Sequence, residues 1–238
     1  MLDLLGRMQK VLEEESGKNS RAESIGARYP SKEWNALSWS YCLVRDLRLW
    51  QEVVSAFDLQ NAGSSGISWW QRLRVGGIFR DWYSYHGDAS RKIYLANLLL
   101  SRKLHATLYV PEVGPCGFDL LPAVWSGYER IVAFDIDSEY VDLCKRIWDG
   151  FEIRFDVRDS KEFFRSNDVR NADILLPDWG HHGSVGKEGE AKGWNLIGYS
   201  EKDAFRSHLK SLKIEDYFRF FRNLERIKGA RHGVFDQK

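Results

Sequence analysis

The chain has 238 residues, 43% hydrophobic and 29% charged, ordinary values for a globular protein that can bury a core without metals or disulfides. Three cysteines far apart, Cys42, Cys116 and Cys144, exclude a disulfide framework and fit reduced thiols. No run approaches the roughly 18 apolar residues of a membrane span, and a net charge of +1 singles out no class of partner.

Residues 2–16 place Leu2, Leu5, Met8 and Leu12 near one face and predict a helix. This charged, periodic start lacks a signal-peptide core, so a cytoplasmic or otherwise intracellular protein is expected. A polar stretch ends in YPSKEW, where Ser31 can cap a helix. From Trp34 to Phe57, Leu37, Tyr41, Val44, Leu47, Trp50 and Val54 recur every three or four residues, a long amphipathic helix that QNAGSSG at 60–66 ends. Residues 69–87, WWQRLRVGGIFRDWYSYHG, interleave Trp69, Trp70, Trp82, Tyr83 and Tyr85 with Arg72, Arg74 and Arg80. Such a mixture can stack bases and pair phosphates, or pack tryptophans on a core. Residues 89–104 predict one more helix.

From 105 the period changes. Short apolar runs recur at 106–111, 131–135, 152–155 and 172–177, with helix-like segments EYVDLCKRIWDG and SKEFFRSNDVRN between them. Acids end or follow the runs at Glu112, Asp135, Asp156 and Asp178, spaced 23, 21 and 22 residues apart. That regularity predicts successive βα units feeding a parallel sheet, whose post-strand loops share one edge and bring the four acids to one crevice. After Asp178, WGHHGSVGKEGEAKGWN reads as a flexible loop, of the kind that serves as a lid or binding element. His181 and His182 are adjacent, but no third ligand stands at a zinc spacing, so no metal is expected. Residues 214–229 predict a helix presenting Tyr217, Phe218, Phe221 and Leu224 to a core, and RHGVFD is long enough for one edge strand. The division expected is a mainly helical extension or subdomain over 1–103 and an α/β cofactor-binding domain over 104–238.

The motif that speaks most directly to function is Glu112-Val113-Gly114-Pro115-Cys116-Gly117, an acid and a glycine-rich turn after an apolar run. A second acid, Asp135, ends the next run in VAFDIDSEYV. Glycines let backbone approach a ligand closely, and the second acid can accept hydrogen bonds from ribose hydroxyls. With IRFDVRDS around Asp156 and LLPDWG at 175–180, this ordered set resembles the class I S-adenosylmethionine-dependent methyltransferases over roughly 104–180. The resemblance implies a Rossmann-like α/β fold, a parallel sheet flanked by helices. It implies S-adenosyl-L-methionine as cofactor, held by Glu112, Gly114 and Gly117 at its amino-acid part, Asp135 at its ribose and Asp156 near its adenine. It places Asp178 and Trp179 facing the methyl acceptor, in catalytic roles. The departures are Cys116 at the usual middle glycine and Phe118 at the third. Pro177 precedes Asp178 rather than following it, unlike the motif typical of base amino-group methylation.

The net charge is −5 over 101–180 (10 Lys/Arg against 15 Asp/Glu) and +4 over 181–238 (12 against 8). With the aromatic and arginine residues near 69–83, this distribution fits an RNA or DNA acceptor, or a nucleotide-like molecule. Two other readings stay open. One is a nucleotide or dinucleotide enzyme, although the glycines do not follow GxGxxG, and Glu139 stands where a DxD phosphatase built on Asp135 and Asp137 needs Thr or Val. The other is a non-catalytic methyltransferase-like domain, a nucleic-acid-binding or structural subunit of a larger complex.

Overall fold

The structure, a computed structural model, describes residues 4–18, 89–176 and 183–198, with single positions 44, 211, 216 and 219. The chain divides into two compact units, Met1–Arg91 with Leu212–Lys228, and Lys92–Ser211 with Gly229–Lys238. The helix expected at 34–57, the aromatic and arginine stretch at 69–87, Asp178, Trp179, the His181–His182 pair, the helix at 214–229 and the RHGVFD strand lie outside the described residues. In the first unit, α1 (Leu4–Lys18) buries Leu4, Leu5, Met8, Val11 and Leu12 on one helical stripe.

The described residues of the second unit form a five-stranded, all-parallel sheet, in spatial order β3 (Ile153–Val157), β2 (Arg130–Asp135), β1 (Thr107–Pro111), β4 (Asp173–Leu175) and β5 (Asn195–Ile197). Helix α2 (Ala89–Arg102) leads into β1 (Thr107–Pro111), followed by α3 (Leu120–Trp125), β2 (Arg130–Asp135), α4 (Ser138–Ile147), β3 (Ile153–Val157), α5 (Ser160–Ser166) and β4 (Asp173–Leu175). These are the alternating strands and helices that the sequence predicts, in a Rossmann-like fold. Among the described residues no helix is long and apolar enough to cross a membrane.

Local chemistry sets the helix ends. Asp137 caps α4, its Oδ1 accepting from the Glu139 and Tyr140 amides at 2.8 and 3.4 Å, and Lys145 and Arg146 sit in the last turn, where they complement the helix dipole. Asp159 caps α5 by accepting from the Glu162 amide at 2.8 Å, an acid-x-x-Glu start of capping-box type.

Register assigns the faces. Tyr109 pairs with Val132 and with Ile174, and Ile174 with Leu196. This face packs on Phe163, Phe164, Val169, Val185 and Trp194, forming one apolar core. Right-handed crossovers put α3 and α4 on the other face. From edge strand β3 the chain returns to β4 beside β1, so the winding reverses between β1 and β4.

Two expectations change. Residues 179–195 do not form a loop throughout: Gly183–Lys192 is helix α6, and Asn195–Ile197 is strand β5, parallel to β4. Glycine in a helix interior costs about 1 kcal/mol against alanine, which is why the sequence reads as loop. Tertiary packing overrides that cost. Val185 and Trp194 enter the core, and Gly189 faces Trp194 so closely that a Cβ there would lie 2.8 Å from Trp194 Cε3. The second change is at Asp156, which lies inside β3 rather than at its end.

At the amino edge of the sheet, buried Asp173 accepts from Tyr128 Oη at 2.8 Å, Asn195 Nδ2 at 2.7 Å and the Leu104 amide at 3.1 Å. This network joins β4 to β5 and to the segments preceding β1 and β2. It lies at the end of the sheet opposite the carboxyl edge.

Candidate functional site

In an open parallel sheet, ligands bind outside the carboxyl ends of the strands where the winding reverses. Here that place is the end of β1. The backbone leaves β1 at Glu112 with φ 53°, the one non-glycine residue with positive φ among the described residues. A side chain in this region costs about 1–2 kcal/mol relative to the right-handed region. The Val113 amide then donates to Phe134 O at 3.2 Å, extending the contact with β2 by one residue. The turn closes through Gly114 (φ 65°) and Gly117 (φ 62°) into α3.

Three groups pin this turn. The Gly114 amide donates to Asp135 Oδ2 at 3.0 Å, Cys144 Sγ donates to Gly114 O at 3.0 Å, and Trp148 Nε1 donates to Cys116 O at 2.9 Å. Cys144 and Trp148 lie one turn apart along and just beyond α4, so that helix backs the turn along its length. Burial pushes the Cys144 thiol up, with Cys116 and Asp135 adding to it, which keeps the thiol protonated and able to donate. At the turn's exit Lys92, 1% exposed, pairs with Asp119 Oδ1 at 2.7 Å and ties α2 to the start of α3.

The two glycines answer different needs. A Cβ on Gly117 would lie 2.7 Å from Leu120 Cδ1 and 2.9 Å from Trp148 Nε1, so the protein's own packing demands glycine there. Among the described residues, a Cβ on Gly114 would meet nothing within 4 Å. The described residues leave the space beside the turn backbone clear at that point.

Asp135, at the end of β2, is 8% exposed. Its Oδ1 accepts from the Asp137 amide and its Oδ2 from the Gly114 amide, both at 3.0 Å. It therefore clamps the β1 turn to the β2 turn. Beside it stand two exposed apolar side chains, Ile136 (68%) and Val157 (51%), the latter in register with Asp135. Both lie at the carboxyl edge, Ile136 just after β2 and Val157 at the end of β3.

Asp156 is in register with Phe134, hence on the α5 face, while Asp135 and Val157 share the other face. Its carboxylate is engaged by Arg154 Nε at 3.1 Å and by Arg158 Nε at 3.6 Å. The structure thus joins Glu112, Gly114 and Asp135 at one edge and puts Asp156 across the sheet from Asp135.

Ser160, Cys144, Lys92 and Ile136 carry no motif that a sequence reading could find. Ser160 is the first residue of α5, and its Oγ donates to Glu112 Oε1 at 2.8 Å. Among the described residues no group of three His, Cys, Asp and Glu side chains is placed to hold a metal ion. No family model, curated protein or solved structure matches this chain.

Proposed function

We propose that this protein is an S-adenosyl-L-methionine-dependent methyltransferase acting on nucleic acid or a nucleotide-like substrate. One observation carries the reading. A glycine turn at the winding reversal of an all-parallel β3-β2-β1-β4-β5 sheet is bonded through the Gly114 amide to the acid that ends the neighbouring strand. The space that the described residues leave beside Gly114 fits a ligand that approaches the backbone there.

In this reading Glu112, Gly114 and Gly117 form the cradle for the amino-acid end. Asp135 takes the ribose through lone pairs that its two amide donors leave over, since a carboxylate offers about four acceptor sites. Ile136 and Val157 support the adenine ring, with Asp156 beyond them. The cofactor supplies a methyl group on a sulfonium, already a good leaving group, so the protein's task is chiefly proximity and orientation. Asp178, three residues past the end of β4, orients or deprotonates the acceptor, and Trp179 stacks on it.

A second reading is supported by Asp135 itself. Its small exposure and two backbone donors fit a carboxylate kept for structure, in a non-catalytic nucleic-acid-binding or structural subunit of methyltransferase-like fold. Calorimetric titration with S-adenosylmethionine and S-adenosylhomocysteine, with NAD as control, separates the two. Binding of the first two alone is expected. A folded chain that binds neither but retains RNA or DNA affinity establishes the second reading.

A further inference from the structure

Among the described residues β3 pairs with β2 alone and forms an edge of the sheet. An edge strand offers a row of N–H and C=O groups, a template for another strand. The Arg158 amide donates to Asp135 O at 2.8 Å. Backbone groups alternate in direction along a strand, so those of Arg154 and Asp156 also turn toward β2, while those of Phe155 and Val157 turn outward. Edges are commonly blunted by charge, and β3 carries two charges, but they are opposite in sign and flank Phe155 symmetrically. Arg154 and Asp156 share one face, their side chains 65% and 19% exposed. Ile153 and Val157 flank Phe155 in the same way on the other face. The strand is therefore complementary to itself when turned end for end.

We propose that β3 pairs antiparallel with β3 of a second copy of this chain, about a two-fold axis at Phe155, to give a homodimer whose sheet runs through both chains. In this register the two Phe155 residues exchange both backbone hydrogen bonds, using the groups that turn outward. Arg154 then stands opposite Asp156 of the second copy, and Asp156 opposite its Arg154. Both are non-hydrogen-bonded positions, where opposed side chains lie closest, and opposite charges there are favourable. Ile153 and Val157 stand opposite each other in the same way. An axis centred on Arg154 or on Asp156 would set like charges directly opposite, which is destabilising. Five residues a side make an interface at the small end for a specific complex, so the dimer depends on concentration, with a dissociation constant of about 100 μM or tighter.

Sedimentation equilibrium of the full chain, over concentrations spanning that constant, tests the pairing. The parent is expected to dimerise. Arg154→Asp sets acids opposite acids, and Asp156→Arg sets arginines opposite arginines. Each variant alone is expected to weaken the dimer by about tenfold or more. An equimolar mixture of the two is expected to restore it as a heterodimer, because every opposed pair is then of opposite sign. Phe155→Pro removes the outward N–H at the axis and leaves the ladder to β2 in place, so it is expected to abolish the dimer. Circular dichroism checks that each variant is folded. Should Asp156→Arg not fold, Arg154→Asp, at an exposed side chain, and Phe155→Pro decide the matter. A monomeric parent overturns the proposal, as does a dimer that withstands Arg154→Asp and Phe155→Pro. Two folded charge variants that lose the dimer and do not regain it when mixed overturn it as well.

Discussion

The Gly114 amide donates to the Asp135 carboxylate at 3.0 Å, joining the turn after β1 to the end of β2. Both groups belong to segments that approach only because β1 and β2 are paired in parallel, with Pro111 opposite Phe134. One carboxylate therefore holds the turn's shape and, in the proposed function, also takes the ribose.

That dual role sets the first prediction. Asp135→Ala strands two backbone amides and should lower stability by about 1.5–3 kcal/mol, the usual range for hydrogen bonds to a charged group. Urea unfolding measures this. S-adenosylmethionine affinity should fall in the same variant by tenfold to a hundredfold. Asp135→Asn keeps one acceptor oxygen and should lose less stability.

The glycines predict opposite balances of stability and binding. Gly114→Ala strains a φ of 65° but collides with none of the described residues, so it should cost about 1–2 kcal/mol while crowding the space that the proposed cofactor takes. Gly117→Ala adds a clash with Leu120 and Trp148 to the same strain and should destabilise more. Thermal melts paired with calorimetry test the ordering.

Gly189→Ala should destabilise although alanine is the better helix former. The added methyl would lie 2.8 Å from Trp194, and overpacking costs about 1–3 kcal/mol, against about 1 kcal/mol gained in propensity. An increase in the urea midpoint would show that α6 is not packed against Trp194 as described.

Alkaline pH should unfold the protein progressively. Burial raises the Cys144 thiol well above its ordinary 9.0. Burial first, then the hydrogen bond and charge of Asp173, raise Tyr128 above its ordinary 10.0. A group whose native value is raised contributes fully below its unfolded value, and that contribution is lost as pH climbs toward the native one. Stability should therefore hold to about pH 9 and fall above it. Cys144→Ala and Tyr128→Phe should each make the fall shallower, as read from urea midpoints between pH 7 and 10.5.

On the acceptor side, Asp178→Asn should keep cofactor binding and lower the chemical rate by about 10²–10⁴-fold. Trp179→Ala should weaken the acceptor by about 1–3 kcal/mol if it stacks on a base. Nucleic-acid binding should weaken with salt, by a slope of about −0.7 to −0.9 per neutralised phosphate in log affinity against log salt. A salt-insensitive affinity would turn the search toward small-molecule or protein acceptors.

The sequence by itself determined the α/β alternation from Thr107 to Leu175, because apolar runs such as Ile131–Phe134 and caps such as Asp137 are local chemistry read by spacing. It also marked Glu112, Gly114 and Asp135, since an acid and glycines after a strand form a local pattern. Tertiary structure alone decided what those residues touch. Asp135 clamps Gly114 across 21 positions, and Ser160 reaches Glu112 across 48. Register alone put Asp156 across the sheet from Asp135, because adjacent residues of a strand take opposite faces. The helix Gly183–Lys192 was hidden for the same reason. Its glycines lower local propensity, and the packing of Trp194 and Leu196 against Gly189 shows why that one is there.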